Sequence, residues 1–184
     1  ERTCRPVTTI IFKDGVFAWD AQTTWVGRAH LDRVKVFQNG PVTIGVSGVA
    51  RVSDIIRHMD MPDLRSYEPD FDTHRWVVRT LVPAIIKAVR ESLASEVSQE
   101  TITTDSSMII HVNGFTAYLS GNLSVVEDSS GLFGVGSGSP YALGAVLAGA
   151  SLEEAVKIAT QLDIYSGGEV QTLDVNKSTK GLDK

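Results

Sequence analysis

Three stretches constrain this chain more than any other feature: TIIFKDGVFAWD, VKVFQNGPVTIGV and MIIHVNGFTAYLS each set Asp-Gly or Asn-Gly between alternating apolar residues. A two-residue type I′ turn needs positive φ at both central positions, which these dipeptides tolerate, so each stretch is expected to fold as an antiparallel hairpin. Two of the hairpins lie before residue 50 and the third after residue 105, and the chain between them changes period. There Val78, Leu81, Val82, Ile85, Val89 and Leu93 recur at three- and four-residue spacing. That spacing predicts a helix from about Thr73 to Leu93, with Pro83 kinking it or lying in its early turns. A shorter helix is expected over ARVSDIIRHM, then a solvated loop over DMPDLRSYEPDFD, whose carboxylates lack the glycine and spacing of an EF-hand.

After the third hairpin, GLFGVGSGSPYALGAVLAGA is expected to pass from a strand through a glycine-rich turn into a helix, with Ser139 as N-cap and Pro140 as first helical residue. The next helix opens with a capping box, Ser151 and Glu154, and runs to about Leu162; a final strand follows from about Glu169 to Val175. Strands, helices, strands, helices and a strand, joined by hairpins, define an α+β domain with helices layered on sheets and not a doubly wound parallel sheet. With 184 residues, 42% of them hydrophobic, one domain is the natural count.

The same composition excludes several functions. A net charge of -5 and the lack of any long Lys or Arg run argue against nucleic acid as a partner. Apolar runs such as LVPAII fall far short of the ~20 residues that span a bilayer, and no signal-like segment opens the sequence, so a soluble, cytoplasmic protein is expected. The single cysteine, Cys4, cannot form an internal disulfide, and His30, His58, His74 and His111 show no metal-like spacing. GVGSGS could cradle an anion at a helix start, but it lacks the lysine of a P-loop. LDIYSGGEV, taken alone, reads as a helix end with a glycine stop.

Taken in order, TTIIFKDGVFAWDAQTT, GVSG at residues 45–48 and GVGSGSPYALGAVLAGASLEEAVKIATQLDIYSGG resemble the proteasome β-subunit and HslV-like family of N-terminal nucleophile hydrolases. Small bacterial and phage-encoded HslV-type members are nearest in length. The resemblance implies a four-layer αββα sandwich of two antiparallel sheets flanked by helices. It also implies a threonine peptidase that works inside homo-oligomeric rings, hexameric or heptameric, single or stacked, with an AAA+ ATPase unfoldase feeding protein substrates.

The chemistry that the resemblance implies places nucleophile and base on one residue. A free terminal threonine has a hydroxyl to attack with and an α-amine, of reference pKa near ~8, to take up its proton. The family start TTI selects Thr8, which makes residues 1–7 a propeptide, residues 8–175 the domain and residues 176–184 a polar tail. Cys4 and Thr9 are the competing nucleophiles by position; strand alternation sends Thr9 to the opposite face from Thr8. Matched residue by residue, Asp20 is the family aspartate beside the nucleophile, Thr24 helps hold the substrate as an added strand, and Gly48 supplies the oxyanion N–H. Ser137, Asp163 and Ser166 orient the terminal amine and hydroxyl, and Val46 lines the first specificity pocket with an apolar preference. Arg33 and Lys35 straddle the place of the family lysine; KVF favours Lys35, with Arg33 as the alternative. No cofactor is required, although a structural cation near Asp163–Ser166 accords with the family. Two other functions remain open: a catalytically silent ring-forming subunit, and an amidase acting on small amides.

Overall fold

The computed structural model describes residues 8–25, 28–30, 34–68, 70–92 and 104–178. Strand β1 (Ile10–Lys13) returns as β2 (Val16–Asp20) across Asp14-Gly15, whose φ angles of 51° and 81° are those of the expected type I′ turn. A hairpin that the sequence did not suggest follows, β3 (Thr23–Trp25) against β4 (Arg28–His30). Strands β5 (Val36–Asn39) and β6 (Val42–Ser47) form the second expected hairpin with its turn moved by one residue. Asn39 pairs with Val42, so Gly40 and Pro41 are central, and positive φ falls on Gly40 (55°). Proline fixes φ near −65°, so glycine at the first central position is the arrangement that accommodates it.

Helix α1 (Ala50–His58) lies where expected. The long helix does not stay regular: α2 (Thr73–Trp76) passes through a π-helical turn, Val77–Leu81, into α3 (Val82–Ser92). The Val82 N–H reaches back to the Val77 carbonyl, and the next residue, Pro83, has no N–H to offer the preceding turn. The extra residue rotates the apolar face. Trp76 and Val77 are buried, while Val78, placed on that face by its spacing, is 44% exposed. Strands β7 (Ser107–Val112) and β8 (Phe115–Leu119) form the third hairpin, with positive φ at both Asn113 and Gly114. The short β9 (Val125–Val126) and β10 (Phe133–Val135) follow.

Helix α4 (Ser139–Leu147) has Gly138 as its N-cap, one residue earlier than expected, and Ser139 is its first residue. Helix α5 (Leu152–Leu162) carries the complete Ser151–Glu154 capping box. Strand β11 (Val170–Asp174) turns into the single-turn α6 (Val175–Ser178), so the first residues of the expected tail are helical.

Two antiparallel sheets, β10-β1-β2-β11 and β5-β6-β7-β8-β9, stack face to face. Alternation along each strand builds the layers. Ile10, Phe12, Phe17 and Trp19 meet Val36 and Ile109 between the sheets. From the same strands Ile11 and Ala18 point outward onto Ala142, Ala155 and Ala159 of α4 and α5. Ile44, Met108 and Ile110 point the other way, beneath Ile56, Leu81 and Ile85. Each such side chain contributes roughly 1.5–3 kcal/mol by leaving water. The result is the expected αββα sandwich. Among the described residues no helix is long and apolar enough to cross a membrane.

Candidate active site

The β1–β2 turn fixes the first half of the site. Counted outward from Asp14-Gly15, the register places Ile10 opposite Trp19 and therefore Thr9 opposite Asp20, whose N–H donates to the Thr9 carbonyl at 3.2 Å. Thr8 and Asp20 thus come together because one hairpin has the right length. Asp20 is fully buried, and both its oxygens are occupied. Oδ1 accepts from Thr8 Oγ1 (2.8 Å), the Thr9 N–H (2.8 Å) and Lys35 Nζ (2.7 Å), while Oδ2 accepts from the Gly167 N–H (2.9 Å).

Lys35 reaches Asp20 from the other sheet. It stands one residue before β5, and its carbonyl accepts from the Val46 N–H at 2.9 Å, which continues the β5–β6 ladder. The lysine is only 4% exposed. Burial pushes its pKa below the ordinary value, and the negative charges of Asp20 and Asp163 pull in the opposite direction. A buried carboxylate with an ammonium, two amides and a hydroxyl around it has the partners that desolvation demands.

The second half comes from the turn after α5. Asp163 leaves the helix in an extended conformation, and its Oδ2 accepts from Ser137 Oγ and Ser166 Oγ, each at 2.7 Å. Its Oδ1 takes the Tyr165 N–H at 3.2 Å. Ser166 Oγ in turn lies 2.8 Å from Thr9 Oγ1, which links the two halves. The glycine-rich turn packs on the same residues. A Cβ at Gly136 would lie 2.0 Å from the Thr8 carbonyl oxygen, and one at Gly138 would lie 1.9 Å from Thr9 Oγ1. Those glycines let the turn close over Thr8 and Thr9.

The structure therefore brings together Thr8, Asp20, Lys35, Ser137, Asp163 and Ser166. Gly48 follows β6 with φ of 134°, and a Cβ there would come within 2.5 Å of the Asp105 carbonyl and Ser106, so glycine is required by packing as well. The Val46 side chain is 5% exposed and packs in the layer beneath α1 and α3. Thr24 lies in β3, paired with Ala29. Residues 1–7, Cys4 included, and Arg33 lie outside the described residues. Sequence reasoning weighed Thr9 only as a competing nucleophile and gave Gly167 no role in the site; the Thr-Thr doublet and the Gly-Gly after Ser166 were the available signals. Among the described residues no group of three or more His, Cys, Asp or Glu side chains could hold a metal ion.

No protein-family model matches the chain, and no curated protein does. Solved structures do. BPH of Thiobacillus denitrificans in complex with epoxomicin aligns over 91% of this chain and 96% of its own, at 22% identity and a TM-score of 0.66. The eukaryotic HslV of Trypanosoma brucei aligns over 91% and 97%, at 18% identity and a TM-score of 0.59. Anbu from Yersinia bercovieri aligns over 90% and 80%, at 12% identity and a TM-score of 0.59. The chain shares the fold of these structures, two antiparallel sheets stacked between layers of helices.

Proposed function

We propose that this chain is the threonine-type peptidase subunit of a self-compartmentalising, HslV-like protease, with Thr8 as its nucleophile. The observation that carries this reading is the convergence of the Thr8 hydroxyl, the Asp20 carboxylate and the Lys35 ammonium in a buried cluster at the start of β1.

In the sequence Thr8 is joined to Val7, and while that peptide bond stands its nitrogen is an amide with no lone pair for a proton. Processing begins when Thr8 Oγ1 attacks the Val7 carbonyl. The C–N bond breaks, the acyl group passes to oxygen as an ester, and the nitrogen becomes an amine. Water then hydrolyses the ester, releasing the carboxylate of Val7 and regenerating the hydroxyl. In peptide hydrolysis the free amine accepts the Thr8 hydroxyl proton as the oxygen attacks the scissile carbonyl, then gives it to the leaving amine. Water hydrolyses the acyl-threonine ester and closes the cycle. Lys35 and Asp20 hold the field around the nucleophile, Gly48 donates its N–H to the oxyanion, and such a donor typically contributes ~3 kcal/mol. Among the described residues β3 pairs only with β4, and in this reading a substrate strand would add along its other edge, with Thr24 at its centre. The apolar preference at the first pocket that the resemblance assigns to Val46 would act through a side chain packed beneath α1 and α3. Homo-oligomeric ring assembly and an AAA+ partner belong to the same reading, since enclosure is what makes an unselective peptidase safe. A structural cation near Asp163–Ser166 is compatible with it and unnecessary to the chemistry.

The test is the intact mass and first residue of the purified chain, followed by exposure to epoxomicin, the compound held in the Thiobacillus BPH structure. A chain beginning at Thr8, labelled once and active on casein, is expected. Thr8→Ala should abolish cleavage, labelling and hydrolysis, and Cys4→Ala should leave all three intact. A chain that keeps residues 1–7 and takes no label would belong to a silent ring-forming subunit. Activity on small acyl amides without activity on casein would make it an amidase.

A further inference from the structure

Thr9 is fully buried and touches both carboxylate networks. Its N–H donates to Asp20 Oδ1, its carbonyl accepts from the Asp20 N–H, and its Oγ1 lies 2.8 Å from Ser166 Oγ. The direction of the last bond follows from counting protons. A serine hydroxyl has a single proton, and Ser166 donates its own to Asp163 Oδ2 at 2.7 Å. Ser166 Oγ is therefore left to accept, and Thr9 Oγ1 is the donor. The bonds run from Thr9 to Ser166 to Asp163, with Ser137 closing on the same carboxylate oxygen. Aligned hydroxyls of this kind polarise one another, so each bond strengthens the next. The space is shaped for this contact, since a Cβ at Gly138 would lie 1.9 Å from Thr9 Oγ1 and 2.9 Å from Ser166 Oγ.

The geometry points to Thr9 as a positioning residue whose hydroxyl ties the peptide next to the nucleophile to the Asp163 network. Thr8 and Thr9 share that peptide, and its carbonyl is also held by the Gly138 N–H at 3.4 Å. With Thr9 anchored at its side chain and Thr8 held by Asp20, the Thr8 hydroxyl has one place to point. Alternation keeps the Thr9 side chain away from the face where Thr8 would meet substrate, so Thr9 acts through Thr8. The role of Thr9 in turnover rests on the peptidase reading given above.

The experiment compares wild type with Thr9→Val, which keeps the shape and removes the hydroxyl, and Thr9→Ser, which keeps the hydroxyl. Each is measured for cleavage at Thr8, for kcat and KM per epoxomicin-titrated site, for the pH profile of kcat, and for amide hydrogen exchange at Thr9 and Gly167. Loss of one buried hydrogen bond should lower kcat about tenfold in Thr9→Val and leave KM within about twofold. Thr9→Ser should restore kcat to within about threefold, and the midpoint of the pH profile should shift in the valine variant alone. Equal kinetics in Thr9→Val and wild type would overturn the role, as would a serine variant impaired as badly as the valine one. Exchange separates this inference from the reading beneath it. Faster exchange in Thr9→Val than in Thr9→Ser supports the anchor even in a chain that is neither cut nor labelled, a result that defeats the peptidase reading alone. Unchanged exchange overturns the anchor.

Discussion

The two buried carboxylates of the site are held by different chemistry. Asp20 faces an ammonium, two backbone amides and the Thr8 hydroxyl, whereas Asp163 meets two serine hydroxyls and one amide. Both are nearly free of solvent, at 0% and 8% exposure. The first network balances a charge and the second orders neutral groups by directing their protons. That difference teaches what each can do: a counter-charge sets the electrostatic state around the nucleophile, and a chain of hydroxyls sets its geometry. Thr9 and the Ser166-Gly167 step connect them, so the orientation of one network is passed to the other.

The largest effect should come from removing the counter-charge. Asp20→Asn leaves Lys35 buried as a cation without its partner, and breaking a buried pair from one side costs roughly 3–5 kcal/mol. Asp163→Asn keeps a carbonyl that can still accept from Ser137 or Ser166, so a loss of about 1–2 kcal/mol is expected. Urea unfolding of both variants measures the two losses, and equal values would erase the contrast between a charge site and an ordering site.

The next effect bears on which cation serves Asp20. Lys35→Ala should lower hydrolysis by at least about a hundredfold, in line with the loss of a charged group beside the reacting atoms, while Arg33→Ala should have a far smaller effect. Peptidase rates of the two variants decide the matter. The reverse order would give Arg33 the role and leave the Lys35–Asp20 pair, 2.7 Å apart, as a structural bridge.

The site was legible in proportion to how locally it is built. Asp-Gly at residues 14–15 sets a register that brings Asp20 opposite Thr9, so the hairpin could be read from spacing, while Thr8 and Asp20 were singled out on it by the family resemblance. Lys35 was narrower: alternation allowed either Lys35 or Arg33, and the contact that brings Lys35 into the cluster, Nζ reaching Asp20, depends on the passage from one sheet to the other. Asp163 and Ser166 looked like a helix end, because the partners that make them a network, Ser137 and Thr9, lie 26 and 157 residues away in sequence from their respective contacts. The failures in the fold have the same origin. Val78 fits the helical period of its neighbours, yet the π turn before Pro83 rotates it outward, and a short-range pattern cannot register one inserted residue. The β3–β4 hairpin has no Asp-Gly or Asn-Gly between its strands, so the signal that found the other three is missing there.

The smallest effect is a difference in pH dependence between the networks. Burial holds the Lys35 pKa below its ordinary value of 10.5, against the pull of Asp20 and Asp163. In the unfolded chain Lys35 keeps its proton up to its ordinary value, whereas in the folded chain it gives the proton up at lower pH. Between those two points the unfolded state binds more protons, so the part of the stability that belongs to Lys35 rises with pH through the window below 10.5. That part is fully present above the window and is lost as pH falls through the folded value. The difference in unfolding free energy between wild type and Lys35→Met should therefore grow as pH climbs toward 10.5. The corresponding difference for Ser137→Ala should stay flat, because a serine hydroxyl does not titrate there. A Lys35→Met difference that shrinks with rising pH would mean that attraction to Asp20 outweighs burial, and the Asp20 network would then stabilise the fold through its ion pair in addition to tuning the nucleophile.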